Sequence, residues 1–479
     1  MNTMRRFFPQ QAAGGAWFFT AVCLALILTS WPCWAESWKA GVARAKITPE
    51  PGMWMAGYAL RDHPAEGTLQ DLWIKALGVE DGRGCRAVVV TCDFLGFTRA
   101  LSEEIAAQIE KRFAVPRANL MFTASHTHCG PVIEGALYDI YPLDETQRRL
   151  ITEYTRQLSR TAIDVIAAAL GSMEEVELWA GEGRAEFAVN RRNNREVDVP
   201  AMREAGRPLV GPSDFRVPVL CVRSRDGRAK ALVFGYACHA TVLSFYQWCG
   251  DYPGFAQENL ESRLPGVTAM FYTGCGADQN ALPRRTVELA QVYGRQLADA
   301  VAAVLERPMR PVSPRLSTSF ERIRLDYEVV DREYLEKSRA QGGYIGRWAE
   351  RLLGQLAAGA VFANSYEYPV QVWLLGEDQW WIALGGEVVV DYSLRLVEKY
   401  GPSTWVAGYS NDVMAYIPSR RVWEEGGYES GAFTVYGLPA KRWTNDIEER
   451  IYAAIAAGME QCRQLTACSA TVGSAGQAR

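Results

Sequence analysis

Residues Ala124 to Pro131 read Ala-Ser-His-Thr-His-Cys-Gly-Pro, and the two histidines of this stretch are half of the 4 in the chain. Imidazole binds metals and moves protons near neutral pH. In extended backbone residues i and i+2 face the same side, so His126 and His128 can address one small volume, such as a metal ion and its water. For the motif alone two readings stand: proton or metal chemistry, or two histidines satisfied by backbone hydrogen bonds in a turn. His239 and Glu387 each follow a predicted buried strand in distant parts of the chain. Two histidines and a carboxylate form a ligand set that leaves zinc an open position for water. Taken singly, His239 also reads as a packed core histidine, and Glu387, after two glycines, as a first-turn helix carboxylate favoured by the macrodipole. His63, between Asp62 and Pro64, reads as a solvated loop residue.

Positioning these groups requires strands that end where they begin. The short apolar segment from Ala118 to Thr123 delivers His126, and catalytic groups of α/β folds collect at such carboxyl ends. Before it, the strand Arg86 to Cys92 and a helix with Leu101, Ile105 and Ile109 on one face complete a strand–helix–strand unit. Helical spacing also predicts helices from about Gln147 to Leu170 and Thr286 to Leu305, and a last one from Trp443 to Cys462. Asp226-Gly227 marks a hairpin whose second strand runs to His239, and Glu377-Asp378 marks another, between Val370 and Leu384. Glu387 then opens a predicted helix to Tyr400. The segments 194–214 and 410–437 read as loops. No repeat or linker divides the chain. The expected class is α/β: a single large domain of mixed β-sheets flanked by helices over 36–465, its active site at strand carboxyl ends, with a short polar tail over 466–479.

Composition narrows the function. Of 479 residues 48% are hydrophobic, ample for a large core, and the net charge is −4. With no basic surplus to displace counterions from a phosphate backbone, a nucleic-acid partner is not expected. Arg5 and Arg6, an apolar run from Ala16 to Leu28 and a small-residue site at Ala35 have the order of an export signal, so residues 1–35 are expected to be removed and the mature protein to be periplasmic or secreted. The apolar run is shorter than the roughly 20 residues a membrane span needs. The 11 cysteines form no paired framework and no Cys-x-x-Cys, which argues against a thiolate zinc site; Cys462 and Cys468 are close enough in sequence to pair. There is no Gly-x-Ser-x-Gly, no His-Glu-x-x-His and no Walker loop.

The chain resembles the catalytic N-terminal domain of the neutral, non-lysosomal ceramidases, zinc amidohydrolases that split the amide of N-acylsphingosine. The resemblance is carried by Gly41 to Pro49, Met55-Ala56-Gly57-Tyr58, the strand ending at Asp93, His126-Thr127-His128-Cys129-Gly130-Pro131, Asn190-Arg191, His239, Gly386-Glu387, and Tyr416 with Tyr428-Glu429-Ser430-Gly431. These occur in the family's order across nearly the whole mature chain. The resemblance implies one catalytic zinc held by His126, His239, Glu387 and Tyr416. It places His128 and Arg191 beside the metal or on the substrate, and Tyr428 beside the developing oxyanion. It also implies a lipid amide substrate and transient contact with a membrane surface. Two features depart from the family. Its Gly-Asp-x-Ser-Pro-Asn stretch appears as Gly276-Ala277-Asp278-Gln279-Asn280, without the serine, and no immunoglobulin-like C-terminal domain is expected. The expected activity is zinc-dependent hydrolysis of a ceramide-like N-acyl lipid amide; hydrolysis of another small amide or ester, or a silent zinc-containing binding protein, are the alternatives.

Overall fold

Val370, Val372 and Leu374 alternate with Gln371, Trp373 and Leu375 along one strand, so that strand presents bulk to both of its faces and must be covered twice. A computed structural model, which describes residues 37–475, shows both covers. The expected export signal lies outside the described residues. From Ser37 onward the chain clusters as one compact unit.

The larger sheet contains β1 (Trp38–Lys46), β2 (Trp73–Glu80), β3 (Arg86–Cys92), β4 (Leu120–Ala124), β5 (Glu174–Arg184), β6 (Arg216–Ser224), β7 (Ala229–Tyr236) and β8 (Thr268–Thr273). Their order is β8-β7-β6-β5-β1-β2-β3-β4, with Arg310–Val312 added beside β5. The pairs β3–β4 and β7–β8 are parallel and the others antiparallel. The second sheet contains β9 (Leu316–Val329), β10 (Ser365–Leu375), β11 (Gln379–Leu384), β13 (Thr404–Ala407) and β15 (Ala440–Trp443), ordered β13-β11-β10-β9-β15. Between them in sequence, β12 (Glu387–Val388) and β14 (Tyr416–Ile417) form a short parallel pair of their own.

Helices α1 (Arg99–Phe113), α2 (Glu145–Gly171), α3 (Asp251–Arg263) and α4 (Val287–Leu305) cover the outer face of the first sheet, where Ile105, Ile109, Leu158, Leu260 and Leu297 join Ile74, Val90, Phe122 and Phe234 in one core. The inner faces of the two sheets meet along a tryptophan row. Trp373 is paired in register with Trp381, and Trp381 with Trp405, and their rings lie 6.2 and 5.9 Å apart. Val89, Met121, Leu178, Leu220 and Val233 of the first sheet pack on that row. The outer face of the second sheet is covered by α5 (Val390–Tyr400) and α6 (Ile447–Ala475), through Tyr392, Leu396, Ile451, Ile455 and Met459. The result is helix, sheet, sheet, helix, the α/β class expected from the sequence. Side-chain oxygens of Thr98, Asp144 and Thr286 cap the starts of α1, α2 and α4 by accepting from the backbone N–H of Leu101, Gln147 and Leu289.

One feature of this fold assembles the site. β4 and β8 are opposite ends of the strand path, yet the Thr273 hydroxyl at the end of β8 donates to the Ala124 carbonyl at the end of β4 at 3.0 Å. Twist curls the sheet until its edges meet. The carboxyl ends of β4 and β7, from which His126 and His239 depart, are thereby neighbours.

Several sequence expectations are corrected. Glu387 does not open a helix: it lies in β12, whose partner strand lies some thirty residues on, and α5 begins only at Val390. β7 stops at Tyr236, three residues short of His239, because Cys238 N–H turns back to the Tyr236 carbonyl. The loop over 194–214 holds the short helix Val199–Glu204, and 410–437 holds β14 and three short helices. The final helix continues to Ala475. Cys462 is a buried free thiol. Among the described residues no helix is long and apolar enough to cross a membrane.

Candidate functional site

His126 is held in a left-handed backbone conformation, φ 54°, so the extended-backbone argument for His126 and His128 does not apply. The two rings converge nonetheless, with their Nε2 atoms 3.3 Å apart. A close approach on the other side enforces this. Gly57, at φ 98°, lies so near His128 that a Cβ there would stand 2.4 Å from the imidazole, and the Tyr58 ring meets the same imidazole edge-on at 4.8 Å. Tyr58 is pinned by donating its hydroxyl to the carbonyls of Thr241 and Leu243, and Ala56 N–H donates to the Gly130 carbonyl. The Met55 to Tyr58 motif is therefore the wall that sets His128.

His239 enters from the opposite edge of the sheet. Its ring nitrogen Nδ1 lies 2.7 Å from the Gly276 carbonyl, and Nδ1 of His126 lies 2.6 Å from the Leu95 carbonyl. A carbonyl only accepts, so both Nδ1 atoms carry the proton, and Nε2 is the nitrogen each ring turns toward the centre. Burial, and then the charge of Arg191, push the His239 pKa down to about 4, so its ring is neutral at pH 7. Burial, with His126 and His239 adding to it, also pushes His128 well below the usual histidine range.

Glu387 comes from the second sheet. Gly386 makes the turn before it at φ 71°, with the Ala415 carbonyl only 2.7 Å from where a Cβ would stand. Glu387 Oε2 lies 2.9 Å from His239 Nε2 and 3.4 Å from His126 Nε2. Between the neutral His239 ring and Glu387 an acceptor faces an acceptor, with no proton to share. A divalent cation bound by imidazole and carboxylate resolves such a cluster. Ring nitrogens of His126, His128 and His239 all lie within 4.8 Å of one another, so His128 sits at the same point as the expected ligands. Its Nδ1 is buried without a hydrogen-bond partner.

Tyr416 pairs in register with Glu387 across the β12–β14 ladder, which in a parallel pair puts both side chains on one side. Its hydroxyl accepts from Arg191 Nη2 at 3.4 Å. Arg191 Nε donates to Glu429 at 2.7 Å, and its guanidinium lies 5.9 Å from the Tyr416 ring centre and 5.7 Å from that of Tyr428. Burial opposes the charge of Arg191, but Tyr416 and Glu429 outweigh it and hold its pKa well above the ordinary value. Tyr428 stacks edge-on against Tyr416 at 5.1 Å and is 51% exposed, at the open side of the cluster. All seven residues singled out in the sequence thus lie in one neighbourhood. His63 does not: it is half-buried against Tyr246 and held between Asp62 and Glu66.

The stretch Gly276 to Asn280 acts as scaffold. The Gly276 carbonyl orients His239, the Gln279 carbonyl accepts from His239 N–H, and the Asp278 carbonyl accepts from Arg191 N–H. The Asp278 carboxylate accepts from Val390 N–H at 2.8 Å and from Asn190 at 3.0 Å, which ties the start of α5 to the arginine loop. Burial pushes the Asp278 carboxyl up to about 6. Cys275 is fully buried and its thiol is driven well above the usual range, so it offers no thiolate nucleophile.

Two contacts were missed at the sequence level. Tyr409, itself at φ 50°, lays its ring 4.3 Å from that of His126, and Tyr436 donates its hydroxyl to Glu387 Oε1 at 2.6 Å. Tyr409 lies in a loop and Tyr436 ends a short helical turn, and neither type nor spacing marks them.

Comparison with known proteins agrees with this fold. The family model described as neutral/alkaline non-lysosomal ceramidase, N-terminal, matches residues 38–316. A solved ceramidase complexed with C2 is similar over 87% of this chain and 73% of its own, at 16% identity and a TM-score of 0.65. The neutral ceramidase from Pseudomonas aeruginosa is similar over 83% of this chain and 71% of its own, at 17% identity and a TM-score of 0.63. No curated protein sequence matches the chain significantly.

Proposed function

The chain belongs to the neutral/alkaline non-lysosomal ceramidase family, and on that premise we propose that it is an exported zinc hydrolase that cleaves the amide of a ceramide-like N-acyl lipid to a fatty acid and an amine. The observation that carries the reading is the convergence of His126 Nε2, His239 Nε2 and Glu387 Oε2 on one point, with the Tyr416 strand alongside. Those residues would hold the ion. A zinc ion held there would supply hydroxide at neutral pH, by lowering the pKa of water from about 15.7 towards 7, and would polarise the acyl carbonyl.

The remaining steps belong to the chain's own groups. His128, neutral and with a nitrogen directed at the cluster, takes the proton from the attacking water. As the C–N bond breaks, the same imidazole returns that proton to the leaving amine, so the products are the free acid and the free amine. Tyr428 stands at the open side, where its hydroxyl donates to the carbonyl oxygen as negative charge develops there. Arg191 keeps both tyrosines in place and contributes positive charge to the same side. No serine nucleophile is needed, because water attacks directly.

The test is a mass-spectrometric screen of N-acylsphingosine and other N-acyl lipids with the purified protein. Fatty acid and amine are expected in equal amounts, lost after dialysis against a chelator and restored by zinc. Full zinc occupancy with no turnover of any N-acyl lipid would overturn the hydrolase reading.

A further inference from the structure

Glu387 has two carboxylate oxygens, and they are used differently. Oε2 faces His239 and His126 at 2.9 and 3.4 Å, whereas Oε1 accepts a 2.6 Å hydrogen bond from the Tyr436 hydroxyl. That distance is in the range of a charge-assisted O–H···O⁻ bond. Tyr436 ends the short helical turn Phe433–Tyr436, and Gly437 stops it in a left-handed conformation at φ 79°. The turn is anchored from below. Phe433 is buried, with its ring 5.1 Å from that of Trp443, and Trp443 in turn donates its indole N–H to the Tyr416 carbonyl. The segment that carries Tyr436 leaves from Gly426 and Gly427, both at positive φ, and also supplies Tyr428 and Glu429 to the cluster.

We propose that Tyr436 is a positioning residue: by occupying Oε1, its hydroxyl makes Glu387 a ligand through Oε2 alone. The inference rests on the metal-site reading above. A carboxylate with both oxygens free is able to bind a metal through both, and the second oxygen would then take the position that water and substrate require. The Tyr436 hydrogen bond removes that option before any metal arrives. Tyr436 also lines an apolar crevice together with Leu95, Val132, Ile133, Leu137 and Val413 and packs against the larger core, so it has packing that does not depend on its oxygen.

The experiment uses Tyr436→Phe in the full chain, which deletes the oxygen and keeps the ring in its crevice. Two quantities are read besides activity: zinc affinity by competition with a chromogenic chelator, and the visible spectrum of the cobalt-substituted protein. The expected results are about 10- to 100-fold weaker zinc binding, the usual effect of losing an outer partner of a ligand. The cobalt bands should also be less intense than in the parent, as for a site that has gained a ligand oxygen. Melting temperature is measured alongside. Unchanged zinc affinity and cobalt spectrum, whether or not the melting temperature falls, would reduce Tyr436 to a packing residue. A parent chain that takes up no metal would overturn the reading beneath the proposal and the proposal with it.

Discussion

Replacing His239 or Glu387 by alanine is expected to empty the proposed metal site and lower turnover by about 10³-fold or more, because Lewis-acid and hydroxide chemistry together are worth several kcal/mol of barrier, at roughly 1.4 kcal/mol per decade. Each side chain is buried and contributes an atom to the converging point, and loss of one from a site of so few ligands leaves too little to hold the ion tightly. The fold is expected to survive both changes. Removing Glu387 orphans the Tyr436 hydroxyl, whereas removing His239 leaves the Gly276 carbonyl the bond it accepts from Gln279 N–H. One unsatisfied group costs on the order of 1–3 kcal/mol, which is small against two sheets packed on a tryptophan row and covered by helices on both outer faces. Elemental analysis of folded protein is the check. Full zinc in either variant would remove that residue from the ligand set.

Tyr428→Phe is expected to act on a different quantity. Its ring meets Tyr416 at 5.1 Å and carries the arginine contact that holds the outer wall, and a phenylalanine retains both. Only the donor is lost. Zinc content should stay whole, while kcat falls by about 10²- to 10³-fold, the usual effect of deleting one oxyanion donor, and KM changes little. An unchanged kcat would return Tyr428 to the status of a half-exposed packing aromatic.

The candidate site was legible in proportion to how local its signals are. The Asp226-Gly227 hairpin between β6 and β7, the β3–α1–β4 unit and the apolar strand leading to His126 depend on near neighbours, and they read correctly. Glu387 read as strand-terminal but was assigned to a helix, because the strand that pairs with it lies at Tyr416–Ile417, beyond any local window. Extended geometry predicts the pairing of His126 with His128, yet the backbone at His126 is left-handed and the rings meet because Gly57 and Tyr58 press on His128. The meeting of His126 with His239 depends on the curl that joins the two edges of the larger sheet, a property of the sheet as a whole. Tyr416 came from resemblance alone, since a phenol in a loop carries no periodic mark. Tyr436 and the carbonyls of Leu95 and Gly276 are contacts that only folded geometry reveals.

The surroundings of the proposed metal ion are the most direct test. X-ray absorption at the zinc edge of the purified protein is expected to show a shell of nitrogen and oxygen alone, at about 2.0–2.2 Å, with the outer scattering of histidine rings. A zinc–sulfur distance of about 2.3 Å, or no zinc uptake by the folded chain when the ion is supplied, would contradict a hydrolytic centre built from His126, His239, Glu387 and Tyr416.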